Sequence, residues 1–162
     1  MGSFKSFDGT RISYDTEGDG APVVLLHGYA SESFINWVRP GITGKLAASG
    51  YRAIAMDLRG HGMSDKPHDA QAYADGAMVK DARALLDHLD ISKCFLVGFS
   101  MGAMNTARLL IEGEPRVAAA VLAGDAPDPT GGALFFHADG IAPGWFATRA
   151  RTAAIGGNVF YR

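Results

Sequence analysis

The chain has 162 residues, which fits about one domain of ordinary size and allows roughly two-thirds of the unfolded surface to be buried. Hydrophobic residues make up 48% and charged residues 20%, a balance that excludes a disordered chain. Lys+Arg number 15 against Asp+Glu 17, so no basic surplus points to nucleic acid or an anionic membrane, and one cysteine, Cys94, excludes internal disulfides and cysteine-built zinc sites.

Two short extended runs, Phe4 to Phe7 and Arg11 to Thr16, flank the turn pair Asp8-Gly9 and read as a β-hairpin. Val23-Val24-Leu25-Leu26 is a continuous apolar run that stops at His27-Gly28. Without polar alternation it suits a central strand covered on both faces. A helix is expected over about Ser33 to Ser49, capped by Gly50. Arg52 to Leu58 is a second buried strand, followed by a glycine-rich loop from Arg59 to Pro67. Ala77, Val79, Leu85, Leu86 and Leu89 recur at helical spacing over about Tyr73 to Leu89. Cys94 to Phe99 is a strand, Met101 to Glu112 a helix, and Val117 to Ala123 the last clear strand. Strands separated by helices mean right-handed β-α-β units, so the expected fold class is α/β with a doubly wound, mostly parallel sheet. In such sheets ligands bind at the carboxyl ends of the strands, where the loops after Leu26, Leu58 and Phe99 fall.

Three loops carry the chemistry. Gly98-Phe99-Ser100-Met101-Gly102 matches G-x-S-x-G between a strand and a helix. A serine on that tight turn stands clear of the sheet, and side chains at Gly98 or Gly102 would collide. The Met101 N–H, at the positive end of the helix, can stabilise an oxyanion. In His27-Gly28-Tyr29-Ala30 the imidazole reads as a loop-holding group, and the useful atom is the backbone N–H of Tyr29, a second oxyanion donor. In Asp57-Leu58-Arg59-Gly60-His61-Gly62-Met63-Ser64, Asp57 and His61 can be imagined as a triad pair or as metal ligands, but read better as a structural polar network.

Together these three motifs resemble the α/β-hydrolase family over about residues 4 to 124. The Gly-Phe-Ser-Met-Gly elbow is similar to those of bacterial esterases and of cofactor-free haloperoxidases and perhydrolases. The resemblance implies Ser100 as nucleophile, Tyr29 and Met101 as oxyanion donors, and no metal or organic cofactor. Dehalogenases and epoxide hydrolases share the fold but use a carboxylate at the elbow, so Ser100 argues against them.

The family orders its triad Ser, then Asp or Glu, then His, with the acid after the seventh strand and the histidine after the eighth. Here His137 is the only histidine after Ser100. Asp125 follows the sixth strand, as in pancreatic-type lipases, so one expectation is a compressed triad of Ser100, His137 and Asp125, in cis or with His137 reaching a partner subunit's site. The other is that Asp125 merely ends a strand and His137 is incidental. Residues 1–125 read as the hydrolase core and 126–162 as an atypical tail. That tail lacks Lys and Glu and carries Phe135, Phe136, Trp145, Phe146, Phe160 and Tyr161. By the family pattern the chain reads as truncated after about the sixth strand. An apolar sixth strand left at an edge would then pair with another copy, so a homodimer or higher oligomer is expected.

The leading expectation is a serine hydrolase of short carboxylic esters acting through an acyl-enzyme. A perhydrolase or haloperoxidase on the same fold is the first rival, and an inactive remnant serving as an assembly module the second. No apolar run approaches the roughly 18 residues of a membrane span, and the first residues lack a signal peptide's apolar stretch, so a cytoplasmic location is expected.

Overall fold

A computed structural model describes residues 1–124 in full, together with the strands 133–137, 153–155 and 158–160. The strands are β1 (Gly2–Lys5), β2 (Arg11–Glu17), β3 (Ala21–Leu26), β4 (Tyr51–Met56), β5 (Cys94–Phe99), β6 (Val117–Ala123), β7 (Ala133–His137), β8 (Ala153–Ile155) and β9 (Asn158–Phe160). The helices are α1 (Ile42–Ala48), α2 (Ala77–His88) and α3 (Met101–Ile111). In space the strands run β1-β2-β4-β3-β5-β6-β7-β9-β8. The four central strands β4, β3, β5 and β6 are mutually parallel, and the expected hairpin β1-β2 adds antiparallel to β4.

Alternation along β3 splits the core in two. Val24 and Leu26 join Ile54, Met56, Leu85, Leu86 and Leu109 under α2 and α3. Val23 and Leu25 join Ala53, Ala55 and Trp37 under α1. Both faces are therefore covered, as the unbroken apolar run requires, each buried leucine contributing about 1.5–3 kcal/mol. The shared register brings Leu26, Met56, Phe99 and Ala123 to one edge, the carboxyl edge of the parallel strands.

Two helix expectations need correction. The segment after Ser33 is not one helix but a wide turn, Phe34–Val38, followed by α1. Pro40 lacks the amide to continue the ladder, and Gly41 takes a left-handed conformation at φ 75°. Likewise Ala70–Tyr73 is a separate short turn, and α2 begins only at Ala77.

β7 lies antiparallel along β6, from Ala133 opposite Ala123 to His137 opposite Ala119. The β6 edge expected to pair with another copy is thus paired with β7 within the chain. Among the described residues no helix is long and apolar enough to cross a membrane.

Candidate active site

The elbow follows from the register. Ser100 has φ 50° and ψ −115°, an unfavourable backbone for a residue with a side chain. Its N–H donates to the Ala123 carbonyl of β6 at 2.8 Å, and its carbonyl accepts from Met104 N–H at 3.1 Å, so strand and helix grip the turn from both sides. The flanking glycines are dictated by backbone packing. A Cβ on Gly98 would lie 2.3 Å from the Gly102 oxygen, and one on Gly102 would lie 2.0 Å from the Leu26 oxygen. Neither contact can relax without moving main chain. Met101 opens α3, and its amide has no hydrogen-bond partner among the described residues.

The loop after β3 is built on His27, which is fully buried. Its Nε2 accepts from Leu58 N–H at 3.0 Å, so the ring proton sits on Nδ1, which donates to the Gly28 carbonyl at 2.8 Å. Burial pushes the imidazole pKa below its ordinary value; the Gly28 bond opposes this and the neighbouring His61 adds to it. His27 is therefore a neutral, two-ended brace, as its place in the loop suggests. Gly28 N–H donates to Asn36 Oδ1 at 2.9 Å, while Tyr29 N–H has no partner among the described residues. Gly28 approaches the elbow closely: a Cβ there would lie 3.4 Å from Ser100 Cβ. The two amides singled out as oxyanion donors thus belong to the two loops that meet at Ser100.

The loop after β4 spends its polar groups on itself. Asp57 Oδ1 accepts from Ser33 N–H at 2.8 Å and Oδ2 from Met63 N–H at 2.7 Å. Ser64 Oγ donates to the Asp57 carbonyl at 2.6 Å and accepts from Ser13 N–H at 2.8 Å. His61 Nδ1 lies 3.0 Å from the Arg59 carbonyl. This is the structural network expected of Asp57 and His61. Below it lies an ion pair that sequence reading missed. Arg59 and Asp81 are both wholly buried and bonded at 2.6 Å through two nitrogens. Asp8 closes on Arg59 at 2.9 Å, Ser6 Oγ donates to Asp81 at 2.5 Å, and the Ala72 carbonyl accepts from the same guanidinium. Burial pushes the Asp8 carboxyl up, but the hydrogen bonds from Arg59 and Thr10, with the charge of the guanidinium, together outweigh it and hold the pKa at about 2. The available signal was Asp81 itself, one turn from Ala77 and one from Leu85 on the buried stripe of α2.

A cleft of about 420 Å³ opens at this carboxyl edge, lined by Tyr29, Ala30, His61, Tyr73, Met78 and Met101. Of the two remaining candidate residues, the structure places only the backbone of His137. Asp125 lies outside the described residues. The backbone of His137 stands opposite Ala119, four residues down β6 from Ala123, or roughly 13 Å at the usual strand rise. That is towards the amino end of β6, away from the elbow.

A nucleophile-type elbow, a second amide-bearing loop and a cleft at the carboxyl edge of a doubly wound sheet define a hydrolase-type architecture. Residues 21–158 match the family model of the alpha/beta hydrolase fold, and the chain belongs to that family. It is 40% identical over 133 residues to a non-heme chloroperoxidase of Streptomyces lividans, covering 78% of this chain and 45% of that protein. It is 38% identical over 108 residues to an epoxide hydrolase of Caballeronia sordidicola, covering 64% of this chain and 32% of that one. Among solved structures, an esterase from Exiguobacterium antarcticum superposes with a TM-score of 0.69 at 35% identity, over 78% of this chain and 46% of the esterase. The chain spans less than half the length of these relatives.

Proposed function

We propose that the chain carries the acyl-transfer half of a serine hydrolase acting on short carboxylic esters. The observation that supports this most is the strained Ser100 turn at the amino end of α3, with the Met101 and Tyr29 amides beside it unpartnered among the described residues. In this reading Ser100 Oγ attacks the acyl carbonyl and the two amides hold the oxygen as it becomes negative. The alcohol leaves, an acyl-enzyme remains, and water attacks it to release the acid. Ser100 at the elbow, where the fold's epoxide hydrolases use a carboxylate, favours ester over epoxide chemistry.

His137 oriented by Asp125 is the candidate proton acceptor within this chain, and the β7 register stands against it. Hydrolysis of p-nitrophenyl acetate by wild type, Ser100→Ala, Asp125→Asn and His137→Ala tests each role. Loss of the nucleophile is expected to lower kcat by at least about 10³-fold with the fold intact. Unchanged rates in Asp125→Asn and His137→Ala would remove both from the reaction, and an unchanged rate in Ser100→Ala would remove the whole reading. The similarity to a non-heme chloroperoxidase favours a second reading, in which the same acyl-enzyme is intercepted by peroxide. Peracid formation from acetate and hydrogen peroxide, run beside ester hydrolysis, separates the two.

A further inference from the structure

We propose that Asn36 is a positioning residue for the oxyanion site, holding the Gly28 amide so that the following amide, Tyr29 N–H, stays aimed at the acyl oxygen; this rests on the ester-hydrolase reading. Two successive peptide groups after β3 are pinned by side chains. The first is held through its N–H, which Gly28 donates to Asn36 Oδ1 at 2.9 Å. The second is held through its C=O, where the Gly28 oxygen accepts from His27 Nδ1 at 2.8 Å. In a trans peptide the C=O and the N–H point in opposite directions. Fixing the Gly28 oxygen towards His27 therefore turns the Tyr29 N–H the other way, and it has no partner among the described residues.

Holding both groups matters because the turn does not hold itself. Ala30, the next residue, sits at φ 53°, a left-handed conformation that alanine adopts only under constraint. Released, the loop would relax towards ordinary backbone angles and rotate the Tyr29 amide with it. Asn36 is delivered to this place by the wide turn Phe34–Val38, in which Arg39 N–H donates to the Phe34 oxygen at 2.8 Å. Such widened turns often mark functional places. The adjacent Trp37 is buried with Val23, Leu25, Ala53 and Ala55 and anchors the turn in the core. Asn36 N–H donates to the Glu32 carbonyl at 3.1 Å, which fixes its backbone as well. The amide side chain is thus a rigid arm between the core and the oxyanion loop, and its neutral oxygen accepts the bond without adding negative charge beside a developing oxyanion.

The test uses the chain as it stands and two independent readouts. Amide hydrogen exchange at Gly28 and Tyr29 is followed by NMR in wild type, Asn36→Ala and Asn36→Asp. Labelling of Ser100 by a fluorophosphonate is followed over probe concentration, with Ser100→Ala as the control for site. In Asn36→Ala the Gly28 amide is expected to exchange about tenfold faster or more, and the Tyr29 resonance to move. The limiting labelling rate is expected to fall about tenfold or more while the half-saturating probe concentration stays put, since only the geometry of the donor has changed. Asn36→Asp keeps an acceptor oxygen and is expected to restore the Gly28 protection. Unchanged Gly28 exchange in Asn36→Ala overturns the proposal. So does faster exchange with an unchanged labelling rate, which would reduce Asn36 to satisfying a loop amide. Wild type that resists labelling altogether condemns the ester-hydrolase reading; Asn36 is then judged by the NMR arm alone, and a Tyr29 resonance unmoved in Asn36→Ala overturns it.

Discussion

The loop after β4 and the pair of loops after β3 and β5 line the same edge of the sheet and treat their polar groups in opposite ways. From Asp57 to Ser64 each polar side chain is spent on a bond within the protein: both Asp57 oxygens take amides, Ser64 both gives and accepts, and Arg59 is surrounded by Asp81, Asp8 and the Ala72 carbonyl. Beside it, the Tyr29 and Met101 amides have no partner among the described residues, and Ser100 and Ala30 are held at positive φ. Satisfied groups make a stiff wall, and unsatisfied or strained ones store the capacity to bind or react. A sequence motif dense in Asp, His, Arg and Ser looks more chemical than Gly-Tyr-Ala, yet the plainer segment carries the donor without a partner among the described residues.

The division can be broken by substitutions on either side of it. The largest expected effect is on the satisfied side. Asp81→Ala leaves the wholly buried Arg59 guanidinium without its principal partner and should destabilise the fold by about 3–5 kcal/mol, read by denaturant unfolding. Hydrolysis per folded molecule should change far less; a loss as deep as that of Ser100→Ala would erase the distinction between wall and site. On the strained side the sign reverses. Ser100→Gly should be more stable than Ser100→Ala by about 1 kcal/mol, because glycine adopts φ 50° without strain. Equal stability in the two variants would mean that the elbow stores nothing.

The smallest effect is set by pH and falls on the hinge between the regions, His27. Burial keeps this imidazole neutral and its folded pKa below the ordinary 6.5, so the unfolded chain binds the proton more readily. Its contribution to stability is complete above about pH 6.5 and declines as pH falls below that value. Thermal unfolding followed from about pH 8 down to about pH 5 should show this decline, and a shallower one in His27→Asn, which keeps a donor for the Gly28 carbonyl without a titrating ring. Identical slopes would show that another group governs the acid limb.

Much of this was legible in the sequence, for local reasons. The run Val23–Leu26 is apolar at every position because both faces are covered, and the helix after Ser100 begins at Met101 as expected because the elbow leaves no other way out of the strand. The glycines at 98 and 102 announced a crowded turn before any contact was known. Less visible was the break at Pro40-Gly41, where a helical pattern on both sides concealed a wide turn between them. That break is what carries Asn36 to Gly28.

The sequence by itself determined the order of the strands from β1 to β6, the elbow, and the two loops whose amides meet there, because period, apolar runs and glycine positions are properties of neighbouring residues. Only the tertiary structure decided the rest. It joined Arg59 to Asp81 across 22 positions. It set Asn36 against Gly28 and made His27 a neutral brace. It also laid β7 along β6 with His137 opposite Ala119. Each of these depends on which elements are packed side by side, and burial and register exist only once the chain has closed on itself.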